Sequence, residues 1–177
     1  VHFPIALLSI YGFFEVIRVR VWQRTTWIRP LKTALIVIGV AFAYFSLSTG
    51  EIAEELLRFD SFGALVEKHS FFASATTYLF LLPAIAYLFE GVLVTSFALK
   101  IPKSVKRLMV WYSTKLMVSP LRIVLAILGV IAVFITGALG GAIVYGPTAD
   151  PFVSFIYNLL FYLGSLSFLS LLITMGG

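Results

Sequence analysis

The chain contains no cysteine and few charged residues, 12% of 177. Without cysteine there is no disulfide framework, thiolate metal site or cysteine nucleophile. The shortage of charge argues against a soluble domain. Soluble domains carry about 25% charged residues in their water-facing shell, whereas this chain is 60% hydrophobic with a mean hydropathy of +1.04. Histidine is scarce too, at two residues. No phosphate loop, HExxH, GxSxG, CxxC or dinucleotide fingerprint is present, so nothing marks the chain as a catalyst on its own. A signal-peptide cleavage pattern, internal repeats and low-complexity tracts are also missing. Val1 is not an initiator methionine, so the sequence is expected to begin inside a gene product or after processing.

What the chain does have is long apolar runs. A spanning helix needs about 20 mostly apolar residues, because each rises about 1.5 Å through a core of about 30 Å. Five stretches qualify: Phe3 to Val19, Leu31 to Thr49, Ser70 to Leu99, Pro120 to Tyr145 and Pro151 to Met175. The last contains no Asp, Glu, Lys or Arg. Asp150-Pro151 reads as an N-cap followed by proline at the first helical position. Pro83, inside the third stretch, predicts a kink that neighbouring helices can accommodate. The expected fold is an all-α integral membrane bundle of five transmembrane helices.

Charge sets the expected orientation. Arg20, Arg24 and Arg29 lie between the first two stretches, with Arg18 and Lys32 at the adjoining ends of those stretches. Lys100, Lys103, Lys106, Arg107 and Lys115 lie between the third and fourth, with Arg122 just inside the fourth. Only Arg58 and Lys68 fall on the other side. The positive-inside rule places the basic loops in the cytoplasm, so the N-terminus is outside, the C-terminus inside, and the protein multi-pass in the cell (plasma) membrane. Trp22, Trp27 and Trp111 share the basic side, where indole rings suit the interface. The net charge of +5 then reports cytoplasmic loops and attraction to anionic lipid, with no nucleic acid required. Lys103 to Met117 places Val105, Leu108, Met109, Tyr112 and Leu116 at helical spacing, as for a helix in the inner interface. Glu51 to Val66 mixes Ile52, Leu56, Leu57, Phe62 and Leu65 with acids and is expected to be helical too, lying along the outer surface.

The chemistry is expected at the outer end. His2 opens the first stretch and His69 the third, at similar depth. Around them lie small or hydroxyl residues: Ala6, Ser9, Ala73, Ser74, Thr76, Thr77, Ser46, Ser48, Thr49, and the run Thr136-Gly137-Ala138-Leu139-Gly140-Gly141. Small residues let helices approach closely or leave a slot for a flat ligand. Two histidines on different helices suit axial ligation of a b-type haem, with His2 and His69 as iron ligands. A quinone pocket is the second reading, with a histidine and Glu51 or Glu67 exchanging protons. A two-histidine metal site completed by Glu51, Asp60 or Glu67 is the third. Against all three, an interfacial histidine can simply bond a headgroup or helix end, and Gly140-Gly141 can be helix packing. Glu15 and Glu90 fall in the inner halves of their helices. They are expected in ion pairs, with Arg18 one turn from Glu15 and Arg122 at the depth of Glu90.

Val1-His2-Phe3-Pro4-Ile5-Ala6-Leu7, Thr49-Gly50, His69 and Gly140-Gly141-Ala142-Ile143-Val144-Tyr145 occur in that order. Residues 1–146 thereby resemble a family of small membrane proteins, the domain-of-unknown-function family 2231, whose pattern is an HFPIAL opening, a Thr-Gly, a His and a Gly-Gly-x-x-Val-Tyr. The resemblance implies a four-helix unit similar in style to small b-type cytochromes. It departs from that pattern where the segment commonly preceding the opening is not seen, and in residues 147–177, an additional fifth helix. That charge-free helix, with Gly164, Ser165 and Ser167, suits packing against other membrane subunits of a complex. The expected function is a membrane-anchored electron-transfer subunit holding one haem b near the outer face through His2 and His69, with Ala6, Ala73, Thr49, Gly137, Gly140 and Gly141 around it. The alternatives are a cofactor-free accessory subunit or a quinone-binding one.

Overall fold

The computed structural model describes the backbone of residues 2–17, 25–57 and 63–175, with the side chains of all but residues 2, 51, 53–57 and 164–175. Among the described residues the chain is all-helical. Six α-helices run in order: α1 (His2–Val16), α2 (Ile28–Leu57), α3 (Gly63–Leu93), α4 (Lys103–Val118), α5 (Leu121–Tyr145) and α6 (Pro151–Met175). A 3-10 helix, Ser96–Lys100, sits between α3 and α4. Among the described residues, three segments are long and apolar enough to cross a membrane: Ile28–Gly50, Gly63–Leu93 and Leu121–Tyr145. Phe3–Val16 and Pro151–Leu163 are shorter apolar stretches among the described residues.

Several boundaries follow local chemistry. Asp150 Oδ1 accepts from the backbone N–H groups of Phe152 (2.8 Å) and Val153 (2.9 Å), filling the N-cap role at the start of α6. Just before it, α5 ends at Gly146, whose φ of +90° is left-handed and whose N–H donates to the Ala142 carbonyl. Ser119 Oγ accepts from Leu121 N–H at the start of α5. Thr95 closes α3 by donating from its hydroxyl to the Val92 carbonyl at 2.7 Å.

Two expectations need correction. Residues 51–57 do not form a separate surface segment; they continue α2 without a break. The third stretch also shifts, because α3 begins at Gly63 and ends at Leu93, leaving residues 96–100 to the 3-10 helix. Pro83 lies buried within α3, which continues through it.

The bundle is built on α3 and α5, which pack along each other; α2 packs on α3, and α1 on both α2 and α5. Between lipid-facing helices no hydrophobic drive separates protein from solvent, so close contact of small residues carries more of the packing. Phe80 of α3 lies over Gly129 of α5, where a Cβ would come within 2.7 Å of the ring. Gly39 of α2 likewise meets Leu8 of α1, and Gly12 of α1 meets Val130 of α5. Tyr11 sits between Phe80 and Tyr87, edge-on to both at 5.8 and 6.0 Å. A second cluster joins Leu65 of α3, Leu139 and Ala142 of α5, and Val153 and Ile156 of α6. Outward, the helices present Phe45, Phe71, Tyr78, Ile131 and Phe134, a surface suited to an apolar medium.

The amphipathic α4 buries Met109, Ser113 and Leu116 against the bundle and leaves Leu108 and Trp111 exposed beside its lysines. Tyr112 donates from its hydroxyl to the Leu82 carbonyl of α3, and burial holds its phenol above the ordinary value.

Candidate functional site

Pro4, Ile5, Ser46, Gly50, Val66 and His69 line one cavity, so the start of α1, residues 46–50 of α2 and the early turns of α3 share one end of the bundle. We call this the histidine end. The opposite end, where Lys32 and Arg122 meet Glu15, is the basic end.

At the histidine end, His69 Nδ1 lies 3.0 Å from the Thr136 backbone carbonyl. A carbonyl oxygen only accepts, so Nδ1 carries the proton, and in a neutral ring Nε2 is the accepting or ligating nitrogen. Gly140 makes this contact possible. It stands one turn after Thr136 on the same face of α5, and a Cβ there would lie 3.2 Å from His69 Cε1. The hydroxyls nearby are mostly satisfied within their own helices: Thr77 bonds the Ala73 carbonyl and Thr136 the Ala132 carbonyl. Thr76 and Thr136 hydroxyls approach to 3.5 Å across the α3–α5 seam.

Beside His69 is a space of about 110 Å³, lined by Ile5, Leu8, Ala43, Ala73, Thr76 and Val133 among others. Its walls are overwhelmingly apolar, with His69 and a few hydroxyls as the polar atoms. An enclosed apolar cavity of roughly 150 Å³ takes up one benzene ring. The space at His69 is therefore on the scale of a single ring with an open mouth. A porphyrin held by ligands on both faces does not fit the helices as they stand.

The residues expected around this site separate into two groups. His69, Ala73 and Gly140 come together. Thr49 instead points outward, its hydroxyl bonded to the Phe45 and Ser46 carbonyls of its own helix. Ala6 and Gly137 are on exposed faces, and at Gly141 a Cβ would lie 3.3 Å from the Val153 side chain of α6. The His2 side chain, the Glu51 side chain and Asp60 lie outside the described residues, and Glu67 is exposed. Among the described residues, no three of His, Cys, Asp and Glu converge as metal ligands.

The basic end holds an assembly that the sequence reading missed. Glu15, fully buried, takes Lys32 Nζ at 3.0 Å on one oxygen and Arg122 Nε at 2.5 Å on the other. The Arg122 contact is an ion pair whose N–H is not aimed along a hydrogen bond. Tyr87 adds its hydroxyl to Glu15 at 2.9 Å. Glu90 pairs with Arg29 at 2.6 Å. Ion pairing was expected, but the partners differ: Arg122 goes to Glu15, and Arg29 takes Glu90. Glu15 faces the junction of α1, α2 and α5, where the first turn of α5 reaches it across the seam. Arg18 lies outside the described residues. The signal was present in the spacing. Tyr11 and Glu15, Arg29 and Lys32, and Tyr87 and Glu90 each stand one helical turn apart.

No known protein family, curated protein or solved structure matches the chain.

Proposed function

We propose that this chain is a five-span subunit of a larger membrane redox assembly that seats the ring of a quinone-type lipid beside His69. The observation that carries the reading is the ring-sized apolar space against an imidazole whose proton position is set by the Thr136 carbonyl. Apolar walls with a few placed polar atoms are the usual form of a small-ligand site. The isoprenoid tail would leave through the mouth into lipid; a quinol O–H would donate to His69 Nε2, and a quinone carbonyl would accept from a neighbouring hydroxyl.

In this reading α1 and α6 join the three long helices in crossing the membrane, with the N-terminus outside and the C-terminus inside. The basic loops support that orientation. The assembly role draws on α6, which packs mainly on α5 and leaves Phe152, Phe155 and Tyr162 outward. The helix supplies the kind of surface on which a neighbouring subunit packs.

The test is extraction of bound lipid from the purified chain, followed by binding of a short-tailed quinone to the wild type and to Ala73→Phe, which fills the slot. Copurifying quinone, and binding lost in a variant that still melts cooperatively, supports the reading. Equal binding by Ala73→Phe sinks it. A reduced-minus-oxidised optical spectrum of the same preparation decides the haem expectation: a sharp b-type band altered in His69→Ala would replace the quinone with a haem.

A further inference from the structure

The cluster at the basic end takes no part in the proposed function, and its charges do not balance. Three cations, Arg29, Lys32 and Arg122, face two carboxylates, Glu15 and Glu90. The Arg29–Glu90 pair stands at the mouth, its arginine 68% exposed. Inside it the surplus is concentrated: Lys32 and Arg122 are only 15% and 14% exposed, and they share the single charge of Glu15. A buried charge without a counter-charge is costly, above all at membrane depth.

Arg122 is also poorly served as a donor. Besides Glu15, its partner among the described residues is the Met117 sulfur at 3.1 Å, a weak acceptor. Its Nε–H is buried and finds no aligned acceptor. Next to these groups is a cavity of about 180 Å³, lined by Arg29, Lys32, Tyr87, Glu90, Met117 and Arg122. Ile28 and Met117 give it an apolar flank, and exposed Trp27 stands one residue from Ile28.

We infer that this cavity is a binding site for one phosphate monoanion, the phosphodiester of an anionic membrane lipid, held by Lys32 and Arg122 with Arg29 at the entrance. One negative charge would neutralise the cluster. A phosphate oxygen would give Arg122 the charged acceptor that the thioether is not, and phosphate is the group a guanidinium fork suits best. Basic pockets between membrane helices at the loop-rich face are where such headgroups bind. The alternative source of the same chemistry is free phosphate.

The test uses the purified full chain in neutral detergent, with phosphatidylglycerol, phosphatidylcholine or inorganic phosphate added and thermal unfolding followed. Phosphatidylglycerol is expected to raise the melting temperature and phosphatidylcholine to leave it unchanged. Lys32→Gln, which keeps the Glu15–Arg122 pair but removes the surplus charge, is expected to weaken the apparent affinity about tenfold. Glu15→Gln doubles the surplus and is expected to tighten binding, a direction that a purely structural role for Glu15 would not give. If Glu15→Gln does not fold, Lys32→Gln carries the test. Lys103→Gln, on the exposed start of α4, is expected to change nothing. Stabilisation by inorganic phosphate alone would assign the site to the free ion, and stabilisation by the lipid alone to the headgroup; both uphold the anion site. Stabilisation by neither, or an equal loss in Lys103→Gln and Lys32→Gln, overturns it.

Discussion

At the basic end of the bundle, Glu15 draws Lys32 and Arg122 onto itself from two other helices. At the histidine end the helices meet where side chains are small: Gly140 under His69, Ala73 and Gly50 along the slot. The first arrangement is a buried charged tie with one positive charge in excess. The second leaves room. A bundle tied by ion pairs at one end can tolerate space at the other, and space is what a ligand needs. Both ends are specific, one through charge and the other through the volume it withholds.

That contrast can be broken at either end, and the effects should differ in size. Arg122→Ala removes one of the two cations on Glu15 and leaves the Glu15–Lys32 pair with the Tyr87 hydroxyl, so it should cost about 1.5–3 kcal/mol, the worth of a contact to a charged group. Unfolding in detergent would measure it, and a cost near zero would mean the tie is not structural. Gly140→Leu would drive a side chain into the His69 ring and off the Thr136 carbonyl, an overpacking worth about 1–3 kcal/mol. The same measurement applies, and a neutral result would mean that the seam is looser than its contacts. His69→Ala removes the hydrogen bond to the Thr136 carbonyl, costing about 1 kcal/mol, and under the proposed reading it also abolishes ring binding. Comparable losses in His69→Ala and Arg122→Ala would erase the distinction between the ends. Thr49→Ala should change stability by less than about 0.5 kcal/mol, because its hydroxyl only serves its own helix; a larger loss would place Thr49 in the site.

Much of the helical layout was legible, for reasons that particular residues make plain. Asp150-Pro151 marked the start of α6, and Lys103 to Met117 was readable as an amphipathic helix. The ends of α2 and α3 were not, because hydropathy reports the thickness of an apolar run and not the length of a helix. Glu51-Ile52-Ala53-Glu54-Glu55-Leu56-Leu57 looks like an exit from the membrane, yet glutamate, alanine and leucine are good helix formers, so α2 simply continues. At the site, His69 with Ala73 and Gly140 was within reach of the sequence. Gly137 and Gly141 were not separable from Gly140 by composition, since neighbouring positions on a helix point roughly 100° apart. Gly141 serves α6 and Gly140 serves the imidazole. The partners within the ionic cluster were misassigned because Arg18, one turn from Glu15, offers the nearer pairing in sequence, and only packing shows that Lys32 and Arg122 reach Glu15 from other helices.

The length of α2 has a mechanical consequence. Its 30 residues make a rod of about 45 Å at ~1.5 Å per residue, against a bilayer core of about 30 Å. With no break at Gly50, the final turns and the wall of the slot belong to one stiff lever. A push on residues 51–57, from whatever docks there, would arrive at Ser46 and Gly50 as a tilt with no hinge to absorb it. The width of the ring-sized space would then be set from the far end of α2.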